Sequence, residues 1–158
     1  MKTARAAILT AVLGTLGLCA GIGAGKPPVR SLQDQMIGTW KLESRTVRTP
    51  DGSVTPLPGW DGAAGYITYD RIGFMGVQFM QLRRTKESGA SGYTAYFGTY
   101  TVDEKTKTVT HHVIGNLNPD GVGANQPREV VLEGDELSLN IRNANSPNVN
   151  VNSFHRMK

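Results

Sequence analysis

Three histidines and five tyrosines are the side chains in this sequence best suited to bind a polar group or move a proton. Two of the histidines are adjacent, in the run Val109-Thr110-His111-His112-Val113. Such a run reads as a β-strand, and neighbouring strand residues point to opposite faces, so one imidazole faces inward and the other outward. Divergent side chains do not converge on a metal ion. His155 stands apart near the end of the chain, and the one cysteine, Cys19, falls in a segment expected to be removed. Neither a metal nor a cofactor is expected from this set.

A turn at residues 103–107 that sets Val102 opposite Val109 also sets Tyr100 opposite His111, Gly98 opposite Val113 and Tyr96 opposite Gly115. The other face then pairs Thr101 with Thr110, Thr99 with His112 and Phe97 with Ile114. Pattern alone does not decide which face is the inner one. The company of Val102, Tyr100, Tyr96, Val109 and Val113 favours His111, and a slip of one residue would put His112 in its place. Gly98 and Gly115, small among aromatics, would leave room there for a ligand. An imidazole beside Tyr96 and Tyr100 could hold a carbonyl or carboxylate, or move a proton, since histidine titrates near ~6.5. The alternative is a Tyr–His pair that satisfies itself inside the protein, or an exposed histidine without a role.

Gln78 sits in the apolar run Gly76-Val77-Gln78-Phe79-Met80, and a buried amide requires a partner; the plain alternative is that it faces water. Tyr66 and Tyr69 fall on opposite faces of one strand, so one of them lines the interior. The candidate ligand-binding residues are therefore Tyr66, Gln78, Tyr96, Tyr100, His111 and His112. Met75 and Met80 read as core filler. No Gly-x-Ser-x-Gly nucleophile turn, phosphate loop or dinucleotide fingerprint occurs, and no carboxylate pair has a spacing that implies glycoside hydrolysis.

These residues need a frame. The chain has 158 residues, which is room for one domain. Hydrophobic residues make up 39% and charged residues 19%, a globular balance that excludes a disordered chain. Residues 1–25 read as a cleaved secretory signal: Lys2 and Arg5, then an uncharged run from Ala6 to Ala20, then small residues before Lys26. The apolar run is shorter than the ~20 residues of a membrane span, so none is expected after processing. The expected location is secreted or periplasmic, with lipidation at Cys19 a minority alternative because bulky Leu18 precedes it. Without Lys2 and Arg5, 15 basic residues face 13 acidic ones, too small and scattered an excess for a nucleic-acid partner.

Residues 26–158 then form a single domain. A short helical turn is expected over residues 29–37, with Ser31 as its cap and Asp34 in its first turn. Eight strands follow by alternation and turn signals, over residues 38–48, 64–70, 74–82, 92–102, 106–116, 128–133, 136–142 and 149–156. Their short links imply an antiparallel meander, and closing so many strands removes exposed edges, which predicts an all-β, eight-stranded up-and-down barrel. A sandwich is the alternative. The Pro- and Gly-rich stretches 49–63 and 117–127 are expected loops, the first a candidate lid because it carries Trp60.

The pair Gly38-x-Trp40 after a helical turn, with Arg156 on the last strand, resembles the lipocalin superfamily. The resemblance implies that Trp40 closes one barrel end with Arg156 across it, a cation over an indole face. The ordered series Ile37-Gly38-Thr39-Trp40-Lys41-Leu42, Gly65–Tyr69, Val77–Met80, Ala95–Asp103 and Val109–Val113 is similar to the bacterial and fungal lipocalin-like domain family. The similarity spans most of residues 36–156 and implies small-molecule binding, with no catalytic set to carry over; a small barrel lumen, mostly apolar with a few polar groups, suits a small, partly hydrophobic molecule. An exported binding protein holding such a ligand in its lumen is the first expectation. The alternatives are an isomerase or cyclase using a lumen His or Tyr for acid–base work, and an interaction module whose barrel is filled with side chains.

Overall fold

The structure, a computed structural model, describes residues 30–158. The expected signal over residues 1–25, with Cys19, lies outside the described residues. The first element is a single helical turn, α1 (Leu32–Met36), whose Ser31 hydroxyl accepts from the Asp34 N–H at 3.0 Å. That cap satisfies one of the free amides at the helix start. Leu32 and Met36, four residues apart on one face, are both buried. Trp40 Nε1 donates to the Met36 carbonyl at 2.8 Å, which ties the turn to the strand that follows.

Nine strands follow in chain order: β1 (Gly38–Arg48), β2 (Val54–Pro56), β3 (Ala64–Tyr69), β4 (Phe74–Met80), β5 (Tyr93–Asp103), β6 (Thr108–Asn116), β7 (Asn125–Glu133), β8 (Glu136–Arg142) and β9 (Val149–Arg156). From β3 to β9 each strand pairs antiparallel with the next, and β1 pairs with both β3 and β9. The sheet closes into the expected eight-stranded barrel rather than a sandwich. The additional strand is β2, which pairs with Thr46–Arg48 of β1 beyond the point where β3 leaves that edge. The sequence hides it inside a loop rich in Pro and Gly.

Alternation is plain in β4, where Met75, Val77 and Phe79 are buried and Phe74 and Gln78 face out. Two bulges interrupt it elsewhere. On β1 the pairing with β9 shifts between Leu42 and Ser44, so Glu43 is an extra residue and Arg45, not Ser44, joins the row of Trp40 and Leu42. On β6 the extra residue is Ile114. The expected pairs hold from Val102–Val109 to Gly98–Val113, and then Phe97 meets Gly115 and Tyr96 meets Asn116. The expected pairs Tyr96–Gly115 and Phe97–Ile114 are thereby corrected. Gly98 is required at this point, because a Cβ on it would lie 2.0 Å from the His112 carbonyl oxygen. Gly115 is overlaid by the Phe97 ring, 2.4 Å from where its Cβ would be. The two glycines serve close packing of backbone and ring, not ligand space.

Two strand starts also differ by more than one residue. β7 begins at Asn125 and not at Arg128, since Asn125 pairs with His112 and Gln126 with His111; Pro127 in that run disguises it as loop. β6 begins at Thr108, because Lys107 takes a φ of +53° in the turn before it. The β7–β8 hairpin has the expected two-residue turn, with Gly134 at φ +60°.

The barrel ends are unlike. At one end lie the short hairpins and α1. There Arg156 stacks 4.0 Å over the Trp40 ring, as the resemblance implies. Its Nε donates to Asp135 at 3.1 Å, and Nη1 and Nη2 donate to the carbonyls of Ile37 and Gln35 at 2.8 and 2.6 Å. At the other end lie the long connections 49–63, 81–92, 117–124 and 143–148.

Candidate functional site

His111 is carried on β6 opposite Tyr100 and is fully buried, at 0% exposure. Tyr69 Oη, from β3, lies 2.8 Å from its Nε2, and Tyr96 Oη, from β5, lies 3.0 Å from its Nδ1. A neutral imidazole donates through one nitrogen and accepts through the other, so one phenol gives a proton and the other takes one. Arg128, on β7, acts on Tyr96 through its positive charge.

Burial pushes the His111 pKa from 6.5 to about 3, and the charges of Arg128 and His112 add to the effect. Burial also raises the Tyr69 phenol well above its usual value and raises Tyr96, with Arg128 pulling the other way in both. At neutral pH the three groups are an uncharged Tyr–His–Tyr chain across three strands.

Of the six expected ligand residues, His111 and Tyr96 meet inside. Tyr100 is buried with its ring edge-on to Tyr69 at 4.9 Å, but its hydroxyl donates to the Asp70 carbonyl at 2.7 Å, toward the hairpin end. Tyr66, Gln78 and His112 are corrected as interior residues. Tyr66 and Gln78 pair across β3 and β4 on the outer wall, where both are exposed. His112 faces outward, with Nδ1 2.6 Å from Asn125 Oδ1 and Nε2 3.0 Å from Thr101 Oγ1. The alternation of β3 puts Tyr69 inside in place of Tyr66.

Two arginines complete the interior toward the loop end, and neither was among the expected residues. The β1 bulge turns Arg45 inward, where its Nε donates to the buried Asn152 at 3.1 Å. Its guanidinium lies 3.9 Å over the Trp60 ring and 5.5 Å from Phe79. Burial lowers the Arg45 pKa, and the charge of Arg128 lowers it further. Arg128 shares the inward row of Val130 on β7 and donates to Gln126 Oε1 at 2.5 Å and to the Pro127 carbonyl at 3.0 Å. That row was readable, since Arg128, Val130 and Leu132 alternate; Arg45 was not, because its side depends on the bulge.

Trp60 is brought over Arg45 by its own loop. Leu57 N–H donates to the Arg45 carbonyl at 2.8 Å, and Trp60 N–H donates to the Leu57 carbonyl at 2.9 Å. The loop is thus latched to β1 beside the side chain that its indole covers. A surface cleft of about 600 Å³ opens at the hairpin end beside Arg156, but that guanidinium is already engaged and Arg30 and Arg71 there stand in solvent. A cleft of about 380 Å³ lies at the loop end, where Thr94 and Asn116 flank the Tyr96 row. Among the described residues, no three His, Cys, Asp or Glu side chains gather as a metal site, and no helix is long and apolar enough to cross a membrane.

A closed antiparallel meander of eight strands, sealed at one end by a tryptophan under an arginine, is a barrel of the lipocalin type. The chain belongs to the lipocalin-like domain family, whose sequence pattern matches residues 37–155. It is similar to the crystal structure of a lipocalin-like protein from Bacteroides uniformis, at 14% identity over 78% of this chain and 99% of that one, with a TM-score of 0.46. It is also similar to an uncharacterized protein from Bacteroides eggerthii, at 12% identity over 77% and 99% of the chains, TM-score 0.43. A de novo designed fluorescence-activating β-barrel is similar at 13% identity over 82% and 100%, TM-score 0.43. No match is found among curated proteins.

Proposed function

We propose that this protein is an exported binding protein that takes a small, partly apolar molecule into the loop end of its barrel. One observation carries the reading. The inward rows are fully buried toward the hairpin end, at Trp40, Phe154 and Leu137, and become half-buried toward the loop end, at Tyr96, Gln126, Arg128 and Asn150. A ligand site of this kind is mostly apolar with a few placed polar groups, and Phe79, Trp60, Tyr96 and Arg45 supply that mixture. The lipocalin-like fold supports the same function, and the basic, apolar and small-residue order of residues 1–25 supports export. Both ring nitrogens of His111 are engaged by phenols, which favours a role in holding the wall over one in proton transfer.

Native mass spectrometry of the protein, purified from its exported compartment without detergent, tests this. The expected spectrum has a mature chain lacking the N-terminal segment, plus a population heavier by a few hundred daltons that vanishes on denaturation. An uncut chain would overturn export. A protein that retains nothing, and that binds no apolar probe in titration, would overturn the binding function.

A further inference from the structure

The interior of this barrel has an electrostatic asymmetry that the fold does not require. Arg45 and Arg128 both point inward, yet no Asp or Glu among the described residues is buried, and no ion pair there involves either arginine. Burying a guanidinium is costly unless its charge and its donors are met. Arg128 has two neutral acceptors. Arg45 has one, Asn152, and its Nη1 is buried with no hydrogen-bond partner among the described residues. The same guanidinium lies 3.9 Å over the Trp60 ring and 5.5 Å from the Phe79 ring, so it rests against aromatic faces in the free protein. A stacked, weakly hydrated guanidinium with free donors suits a planar oxyanion better than a neutral polar group.

We propose that the bound molecule carries an anionic oxygen head group, a carboxylate in the simplest case, which Arg45 Nη1 and Arg128 receive while its apolar body lies along Phe79 and beneath Trp60. The inference rests on the binding function proposed above and narrows it to amphiphilic anions. Trp60 then has a defined part. It shields the Arg45 charge in the free protein and must shift or share that face when the head group enters, so its fluorescence reports the event.

Two matched pairs of probes test this on the processed chain: decanoate against 1-decanol, and 8-anilinonaphthalene-1-sulfonate against N-phenyl-1-naphthylamine. In each pair the apolar body is similar and only one member is charged. A charge-assisted hydrogen bond contributes about 1.5–3 kcal/mol, or roughly ten- to a hundredfold in affinity. The anion of each pair is expected to bind wild type at least about tenfold more tightly than its neutral partner. Arg45→Met is expected to remove that preference, lowering the anion's affinity at least about tenfold more than the neutral partner's, and Arg45→Lys to keep part of it, as a charge without the fork. If Arg45→Met does not fold, Arg128→Met and Arg45→Lys carry the comparison. Equal affinity for charged and neutral partners in wild type, or an anion preference that survives these replacements, would make the arginines structural and overturn the inference alone. Binding of neither member of either pair would remove the binding function and the inference with it.

Discussion

Moving His111 from water into the barrel strips its imidazolium of solvent, and its neighbours offer no anion in return. The groups facing it are Tyr69 from β3, Tyr96 and Tyr100 from β5 and Arg128 from β7, with His112 beside it on β6. The ring therefore stays neutral down to a pKa of about 3. In the unfolded chain the same ring takes up a proton near ~6.5. Between those values the unfolded state binds the proton and the folded state does not, so stability rises with pH. The contribution is complete above about pH 6.5 and is lost as pH falls toward 3, at up to ~1.4 kcal/mol per pH unit. Urea midpoints measured from pH 7 to pH 4 are expected to fall more steeply for wild type than for His111→Gln, which keeps a donor and an acceptor but does not titrate. Parallel slopes would show that the ring titrates as it does in water. The apolar company of Tyr96 and His111 favoured them as an inward pair, while pattern alone left His112 as the alternative, because a register slip of one residue exchanges the two. The second phenol was narrowed only to Tyr66 or Tyr69, since a strand with one tyrosine on each face does not announce its inner side.

At the scale of elements, alternation and turn chemistry locate eight of the nine strands and place the β5–β6 register correctly from Val102–Val109 to Gly98–Val113. Both signals are local, and they fail where the cause is not. A bulge is set by how a strand must bend to close the barrel, and one extra residue reverses the facing of everything beyond it. That is why Arg45, counted from Trp40 by twos, belongs to the outer face in the sequence and to the interior in the fold. The β6 bulge leaves one trace, Gly98, whose missing side chain lets the His112 carbonyl approach. Gly98→Ala places a methyl group 2.0 Å from that oxygen. Backbone must then move, at a cost of about 1–3 kcal/mol. Chemical denaturation should show that loss. Gly76→Ala, where a Cβ meets nothing within 4 Å, is the control expected to cost much less. Equal effects in the two variants would place the bulge elsewhere.

The whole molecule divides its labour between its ends. At the hairpin end Arg156 bonds to Asp135 and to two carbonyls at the C-terminal end of α1, and stacks on Trp40, so one side chain joins helix, first strand and last strand. None of those partners lies near the loop-end interior. Arg156→Met keeps the aliphatic reach but leaves the Ile37 and Gln35 carbonyls without their donor, at an expected cost of about 2–4 kcal/mol. At the loop end Trp60 is half-buried and tied down through its loop, so Trp60→Ala removes cover from Arg45 while leaving the closing contacts of the barrel in place. The two variants should therefore separate stability from recognition. Arg156→Met is expected to lower the thermal midpoint while its folded fraction binds 8-anilinonaphthalene-1-sulfonate with wild-type affinity. Trp60→Ala is expected to shift the midpoint little and to change both the association rate and the affinity for that probe. A loss of affinity in Arg156→Met under conditions where it is fully folded would mean that the two ends are coupled through the barrel wall. Unchanged binding in Trp60→Ala would mean that the indole covers a structural arginine and not the approach to a site.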